Sequence, residues 1–365
     1  MSSSFEYIFP AIKGIQADRE YFVSMCPLRF IPKLFIFDEV EMPPELRAQR
    51  SLNKNRLPEI ANYIIDNPAD YTFSALTVSI DGDVTFVPFD DGTDEGGKQI
   101  GKLHVPMTAQ FIINDGQHRK AAIEMAMREK PELGDQSIAV VFFIDRGLER
   151  CQQMFADLNR HVVRPSKSIG VLYDHRDQMA KLAKLIVLKS SLFRDVVDME
   201  RSTLSKRSRK LLTLSAIYTA TSALFASQEP MSLEEQSKIA IPFWEEVAKN
   251  FPEWQQVKDR KLTASDVRTG YVHAHGITLQ AIGKIGQFLL KDKKWKDQLK
   301  KLRNIDWSRS NTKLWEGRAM IGGRLSKSES NVVLTINVIK KQMGLEFTPE
   351  EQRIEDAFLR GDNVR

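Results

Sequence analysis

Cysteine is almost missing from this sequence: Cys26 and Cys151 are the only two in 365 residues. That is too few for a disulfide framework and fits a reducing compartment. Neither belongs to a C-x-x-C pair, so a zinc ribbon is not indicated, and clusters for iron–sulfur chemistry are lacking. No apolar run reaches the roughly 18 residues of a membrane-spanning helix. The leading MSSSFEYIFPAIKG has no charged segment followed by an apolar one, so no secretory signal is expected. Internal repeats are absent, and the only low-complexity stretch is the polar, Gly-rich segment 90–101. These absences lead to the expectation of a cytoplasmic chain with no membrane partner.

What is present is ordinary for a globular protein. Hydrophobic residues make up 42% and charged ones 28%, which argues against a long disordered or fibrous chain. The length suits about two domains. A net charge of +5 conceals an asymmetry. Residues 1–160 hold 17 Lys+Arg against 24 Asp+Glu, a net of −7, and residues 161–365 hold 36 against 24, a net of +12. An acidic front and a basic back suggest contact of one half with nucleic acid or a membrane surface.

The first half reads as mixed α and β. PLRFIPKLFIF (27–37) looks strand-rich, and 44–67 looks helical, with Leu57, Ile60, Ile64 and Ile65 at helical spacing. FSALTVSI (73–80) and VTFVPF (84–89), joined by Asp81-Gly82-Asp83, read as a hairpin. Further strands are expected at 102–107, 109–114 and 137–144, the last buried by its continuous apolar run. Helices are expected at 120–130 and 147–161. The second half reads as almost all helical, near 168–188, 205–227, 233–250, 264–290, 293–303, 330–343 and 349–360. The division falls at Val162–Ser168, giving an α+β domain over 1–165 and a basic, mainly helical domain over 166–365.

DGQHR (115–119) is the strongest local motif. An apolar strand ends there in a Gly-containing turn that opens a helix. Such a turn leaves backbone N–H groups unpaired where the helix dipole favours an anion. Arg119 can clamp phosphate, His118 can shuttle a proton and Gly116 permits close approach. Against this stands the plainer reading of Asp115 as an N-cap. GTDEGGK (92–98) comes near a phosphate-binding loop, but Gln99 replaces the required hydroxyl, acidic Asp94 and Glu95 repel phosphate, and no apolar helix follows. Arg201, Lys206, Arg207, Arg209 and Lys210 form a compact basic patch at an expected helix start. A second basic region, 291–324, includes Lys293, Lys294, Lys313, Arg318 and Arg324, interleaved with Trp295, Trp307 and Trp315. Aromatics among cations either stack on bases or cover a core. YVHAH (271–275) reads as mid-helix, with its histidines facing apart, so a shared metal is not expected.

The run IINDGQHRKAAIE, then SIAVVFFID and FADLNRHVVRPSKS, resembles the DGQHR-domain proteins. Within that group the sequence is similar to the DndB family of bacterial DNA phosphorothioation systems. RLPEIANYIIDNPADYTFSALTVSIDG, LSKRSRKLLTLSAIYTAT and IDWSRSNTKLWEGRAMIGGR extend the resemblance over most of the chain. It implies a ParB/sulfiredoxin-like fold for the first domain, in which a Gly…Arg turn handles nucleotide phosphates. It also implies a DNA-binding regulator of the modification genes, not a desulfurase or sulfur transferase. Where sulfiredoxin carries its cysteine, Gln117 and His118 stand here.

Two readings result. In the first, promoter double-stranded DNA is the partner, and the cations at 201–210 and 291–324 carry the phosphate contacts. In the second, the DGQHR turn binds and hydrolyses a nucleoside triphosphate. Gly116, Gln117, Arg119 and Asn159 would then hold phosphate, Asp115, His118 and Arg119 would act on it, and ATP with magnesium would be the ligand. A third reading makes the chain an adaptor for other sulfur-modification proteins. Self-association is left open.

Overall fold

The structure is a computed structural model that describes residues 5–35, 54–90, 96–144, 153–154, 157–158, 165–226 and 228–361. It is mixed α and β, with 52% helix and 20% strand. The chain divides into two compact units, Met1–Val163 and Arg164–Arg365.

The first unit is built on one seven-stranded sheet. Its strands are β1 (Glu6–Gln16), β2 (Arg19–Pro27), β3 (Leu76–Asp81), β4 (Thr85–Pro88), β5 (Ile100–Pro106), β6 (Gln110–Asp115) and β7 (Ser137–Ile144), in the order β4-β5-β1-β2-β7-β3-β6. All neighbours are antiparallel except β3 and β7. β1 and β2 form a hairpin whose turn residues, Ala17 and Asp18, both take positive φ, the backbone that matches strand twist. Ile138, Val140 and Phe142 on β7 alternate into the core with Val78, Ile80, Phe9 and Phe22. Two helices, α1 (Leu57–Asp66) and α2 (Gln117–Glu129), pack on each other. They add Ala61, Ile64, Ala122, Ile123 and Ala126 to the same core.

Two sequence expectations change here. Residues 28–34 are a short 3₁₀ turn followed by one helical turn, Ile31–Leu34, with Pro32 in its first positions. Proline presets helical φ and withholds a strand donor, so this apolar run packs as a turn rather than pairing. β3 and β4 are not a hairpin: β3 pairs with β6 and β7, and β4 pairs with β5 at the far end of the sheet. The Asp81-Gly82 turn signal is local, whereas buried strand pairing decides the partner.

The second unit is helical: α3 (Lys167–Tyr173), α4 (Gln178–Lys189), α5 (Leu214–Phe225), α6 (Leu233–Lys249), α7 (Pro252–Lys258), α8 (Ala264–Gly270), α9 (Gly276–Leu289), α10 (Trp295–Lys300), α11 (Glu329–Met343) and α12 (Pro349–Arg360). α9 packs on both α5 and α11. The α5–α9 approach is close enough that a Cβ on Gly283 would overlap the Ala220 carbonyl. Capping boxes start α6 (Ser232, Glu235) and α12 (Thr348, Glu351). The expected helix at 168–188 breaks at residues 174–177, where Asp174 accepts the Arg176 and Asp177 N–H groups and Asp177 caps α4. The helix expected at 205–227 begins only at Leu214, capped by Thr213. YVHAH is not helical either: it links α8 to α9, with Tyr271 bridged to Ser308.

Candidate functional site

The DGQHR turn folds as a self-supporting strand-to-helix junction. Gly116 takes φ 107°, and its Cβ, if present, would overlap Leu76 Cδ2. Gln117 is buried and its amide donates to the Ile113 and Asn114 carbonyls of β6, at 2.9 and 3.4 Å. Arg119 Nη1 donates to Ser74 O and Oγ, both at 2.6 Å, and to Ala75 O at 2.7 Å. Its Nη2 meets Asp115 Oδ2 at 2.5 Å. Arg119 therefore ties α2 to the segment entering β3, and most of its donor fork is occupied within the protein. His118 is half-buried, and burial, with the Arg56 charge nearby, holds its imidazole below the ordinary range. Gly116 stands at the N-cap of α2, where it offers no side-chain cap. Asn159, and with it His161 and Cys151, lies outside the described residues, as does most of 92–98; Gly97–Gln99 forms a 3₁₀ turn. Cys26 is buried in the sheet core, which pushes its thiol up to about 11.

The basic patch at 201–210 is a loop rather than a helix start, so its cations do not oppose a helix dipole along an axis. Arg201, Lys206, Arg207 and Arg209 are exposed, and among the described residues no ion pair or hydrogen bond engages their side chains. Lys210 is different: its ammonium donates to the Asp195 carbonyl at 2.8 Å. The loop is held from beneath by Arg268 of α8. That guanidinium donates to the carbonyls of Ser205 (2.8 Å), Ser208 (3.3 Å) and Lys210. Arg268 O in turn faces His275 Nε2 at 2.7 Å, and burial pushes the His275 imidazole down to about 4. A cavity of about 360 Å³ opens beside the loop, bordered by Ser202, Lys206, Thr213, Arg268 and Gly276. Arg268 carries no local signal, since it lies on α8, 63 residues from Ser205.

The second basic region separates into two groups. Lys293, Lys294, Lys313 and Arg324 are exposed. Arg318 is not available in the same way: it forms a bidentate pair with Glu355, at 2.7 and 2.5 Å, and lies 4.4 Å from the Phe358 ring centre. Trp307 and Trp315 are core residues, stacked at 5.2 Å. Among the described residues, no group of three or more His, Cys, Asp or Glu is placed to hold a metal ion. No helix among them is long and apolar enough to cross a membrane.

The architecture and site define a two-unit α+β protein with an unpaired cationic loop on its helical unit. The family model DndB, described as DNA-sulfur modification-associated, matches residues 9–346. The chain therefore belongs to the DndB family, which is associated with DNA sulfur modification. Comparison with curated proteins gives no match, and comparison with solved structures gives none.

Proposed function

We propose that this protein is a DNA-binding transcriptional regulator of a DNA phosphorothioate modification gene cluster, with promoter duplex and other proteins of the system as partners. The observation that carries the reading is the loop of Lys206, Arg207 and Arg209: exposed, without carboxylate partners among the described residues, and fixed by Arg268. Unpaired cations on a held loop suit phosphate oxygens, and each contact releases counterions from DNA. Arg201, Lys293, Lys294, Lys313 and Arg324 extend the proposed contact set; Arg318 and Lys210 leave it, because their charges already have partners. The test is titration with promoter and random duplexes at several salt concentrations, with and without ATP. Salt-dependent binding that favours the promoter supports the proposal, and equal weak binding to both duplexes counts against a regulator.

A second reading, phosphate binding and hydrolysis at the DGQHR turn, is favoured by Gly116, whose positive φ and missing side chain leave the start of α2 open to close approach. The kinship with ParB and sulfiredoxin belongs to this reading. It requires Arg119 to give up internal bonds to reach a nucleotide. ATP hydrolysis abolished by His118→Ala, with stability unchanged, supports it; no phosphate release by the purified protein removes it.

A further inference from the structure

In the helical unit, a second cavity of about 430 Å³ is bordered by Phe251, Glu253, Tyr271, His273, Arg303 and Asp306. Its wall is aromatic. His273 is stacked between Phe251 and Tyr271, with ring centres 4.7 and 5.0 Å away. Trp254 fixes the imidazole: its indole N–H donates to His273 Nδ1 at 3.0 Å, so the proton sits on Nε2. His273 is only 1% exposed, and burial holds it below the ordinary range, so the ring is neutral. Among the described residues its Nε2–H makes no aligned hydrogen bond, although Glu253 Oε2 lies 3.3 Å away. The His273 N–H close by holds the Glu253 carboxyl below the usual range, so it is an ionised acceptor. A fixed donor and a fixed acceptor thus stand side by side against aromatic faces, with the cationic side chains of Lys249 and Arg303 at the border.

We propose that this cavity seats an unstacked nucleobase bearing an exocyclic amine. The amine would donate to Glu253 and the adjacent ring nitrogen would accept from His273 Nε2, the pairing that adenine and cytosine present on one edge. Tyr271 offers its ring for stacking, and Arg303 favours a phosphate nearby, whereas Lys249 is already paired with Glu246. An alkylammonium guest would also meet aromatic walls and a carboxylate. It has no use for an N–H donor, and the Arg303 charge, which among the described residues meets only the neutral Asn250 Oδ1 and the Lys249 carbonyl, opposes it. For a base supplied by DNA the inference rests on the DNA-binding reading; a free nucleotide offers the same chemistry.

The test uses the full chain and fluorescence anisotropy with three duplexes: unbulged, with a single-adenine bulge, and with an abasic bulge. Calorimetric titrations with AMP, with the purine monophosphate lacking the amine, and with tetramethylammonium run beside it. The adenine bulge is expected to bind roughly tenfold tighter than the abasic one. Glu253→Gln, which keeps size and packing, and Tyr271→Ala should each abolish that preference while leaving unbulged binding and circular dichroism unchanged. AMP preferred over its amine-free analogue, without a bulge preference, supports the pocket with a free nucleotide as its source. Preference for neither base form, a preference that survives Glu253→Gln, or tetramethylammonium binding lost in Tyr271→Ala overturns the inference. If no duplex binds, the DNA reading fails and the AMP arm alone decides the pocket.

Discussion

Replacing Gly116 with alanine tests whether the DGQHR turn is a structural joint. At φ 107° a Cβ is strained, which costs about 1–3 kcal/mol. The added methyl also overlaps Leu76 Cδ2, and Leu76, the first residue of β3, is fully buried in the core of the first unit. Overpacking of that kind costs about 1–3 kcal/mol, for a total of about 2–6 kcal/mol. With a urea slope of about 2 kcal/mol per molar, the midpoint of the first unit should fall by roughly 1–3 M. The two units can be followed separately, because all five tryptophans lie between residues 244 and 315. Far-UV circular dichroism should therefore show an early transition, while tryptophan fluorescence keeps the wild-type midpoint. A circular dichroism profile equal to wild type would refute the reasoning.

Three further outcomes follow from the same contacts. Arg119→Lys should lower stability by about 2–3 kcal/mol in urea unfolding, since an ammonium cannot reproduce the forked bonds to Ser74, Ala75 and Asp115; wild-type stability would contradict the clasp. Cys26, with its thiol near 11, should resist iodoacetamide at pH 8 in the folded protein and react once urea is added; rapid native labelling would show the sheet core to be open. His275 is held near 4 when folded and returns to about 6.5 when unfolded, so the unfolded chain binds the extra proton between those values. Stability should be complete above about pH 6.5 and fall by about 3 kcal/mol as the pH drops toward 4. In His275→Gln that slope should flatten, and an unchanged slope would assign it to other groups.

Local signals proved reliable where one segment carries the whole argument. Helices are expected at 233–250 and 349–360, and the structure places α6 and α12 there, opened by capping boxes at Ser232 with Glu235 and Thr348 with Glu351. The strand–turn–helix at 110–129 was legible for the same reason. Strand partners were not: Asp81-Gly82 looks like a hairpin turn, yet β3 lies against β7, more than 50 residues away in sequence. The YVHAH break escaped notice because its apolar spacing continues through it; Gly270 and Gly276 at its flanks were the available clue. Of the site, the cationic loop was visible as charge, but its clasp was not. Arg268 reaches Ser205 across 63 residues, and Arg318 turns inward because Glu355 waits for it 37 residues on. Charge counting finds cations; only tertiary partners separate free ones from bound ones.

The salt dependence of promoter binding by a Lys206→Ala, Arg207→Ala, Arg209→Ala triple variant tests the central claim most directly. Each lost phosphate contact should reduce the slope of log affinity against log salt by about 0.9, so the triple variant should lose up to about 2.7 from the wild-type slope. Its urea midpoint should stay at the wild-type value, since none of the three side chains has a partner among the described residues. The account predicts a shallower slope and weaker binding at low salt. An unchanged slope and affinity, in a protein that otherwise binds the promoter, would contradict it.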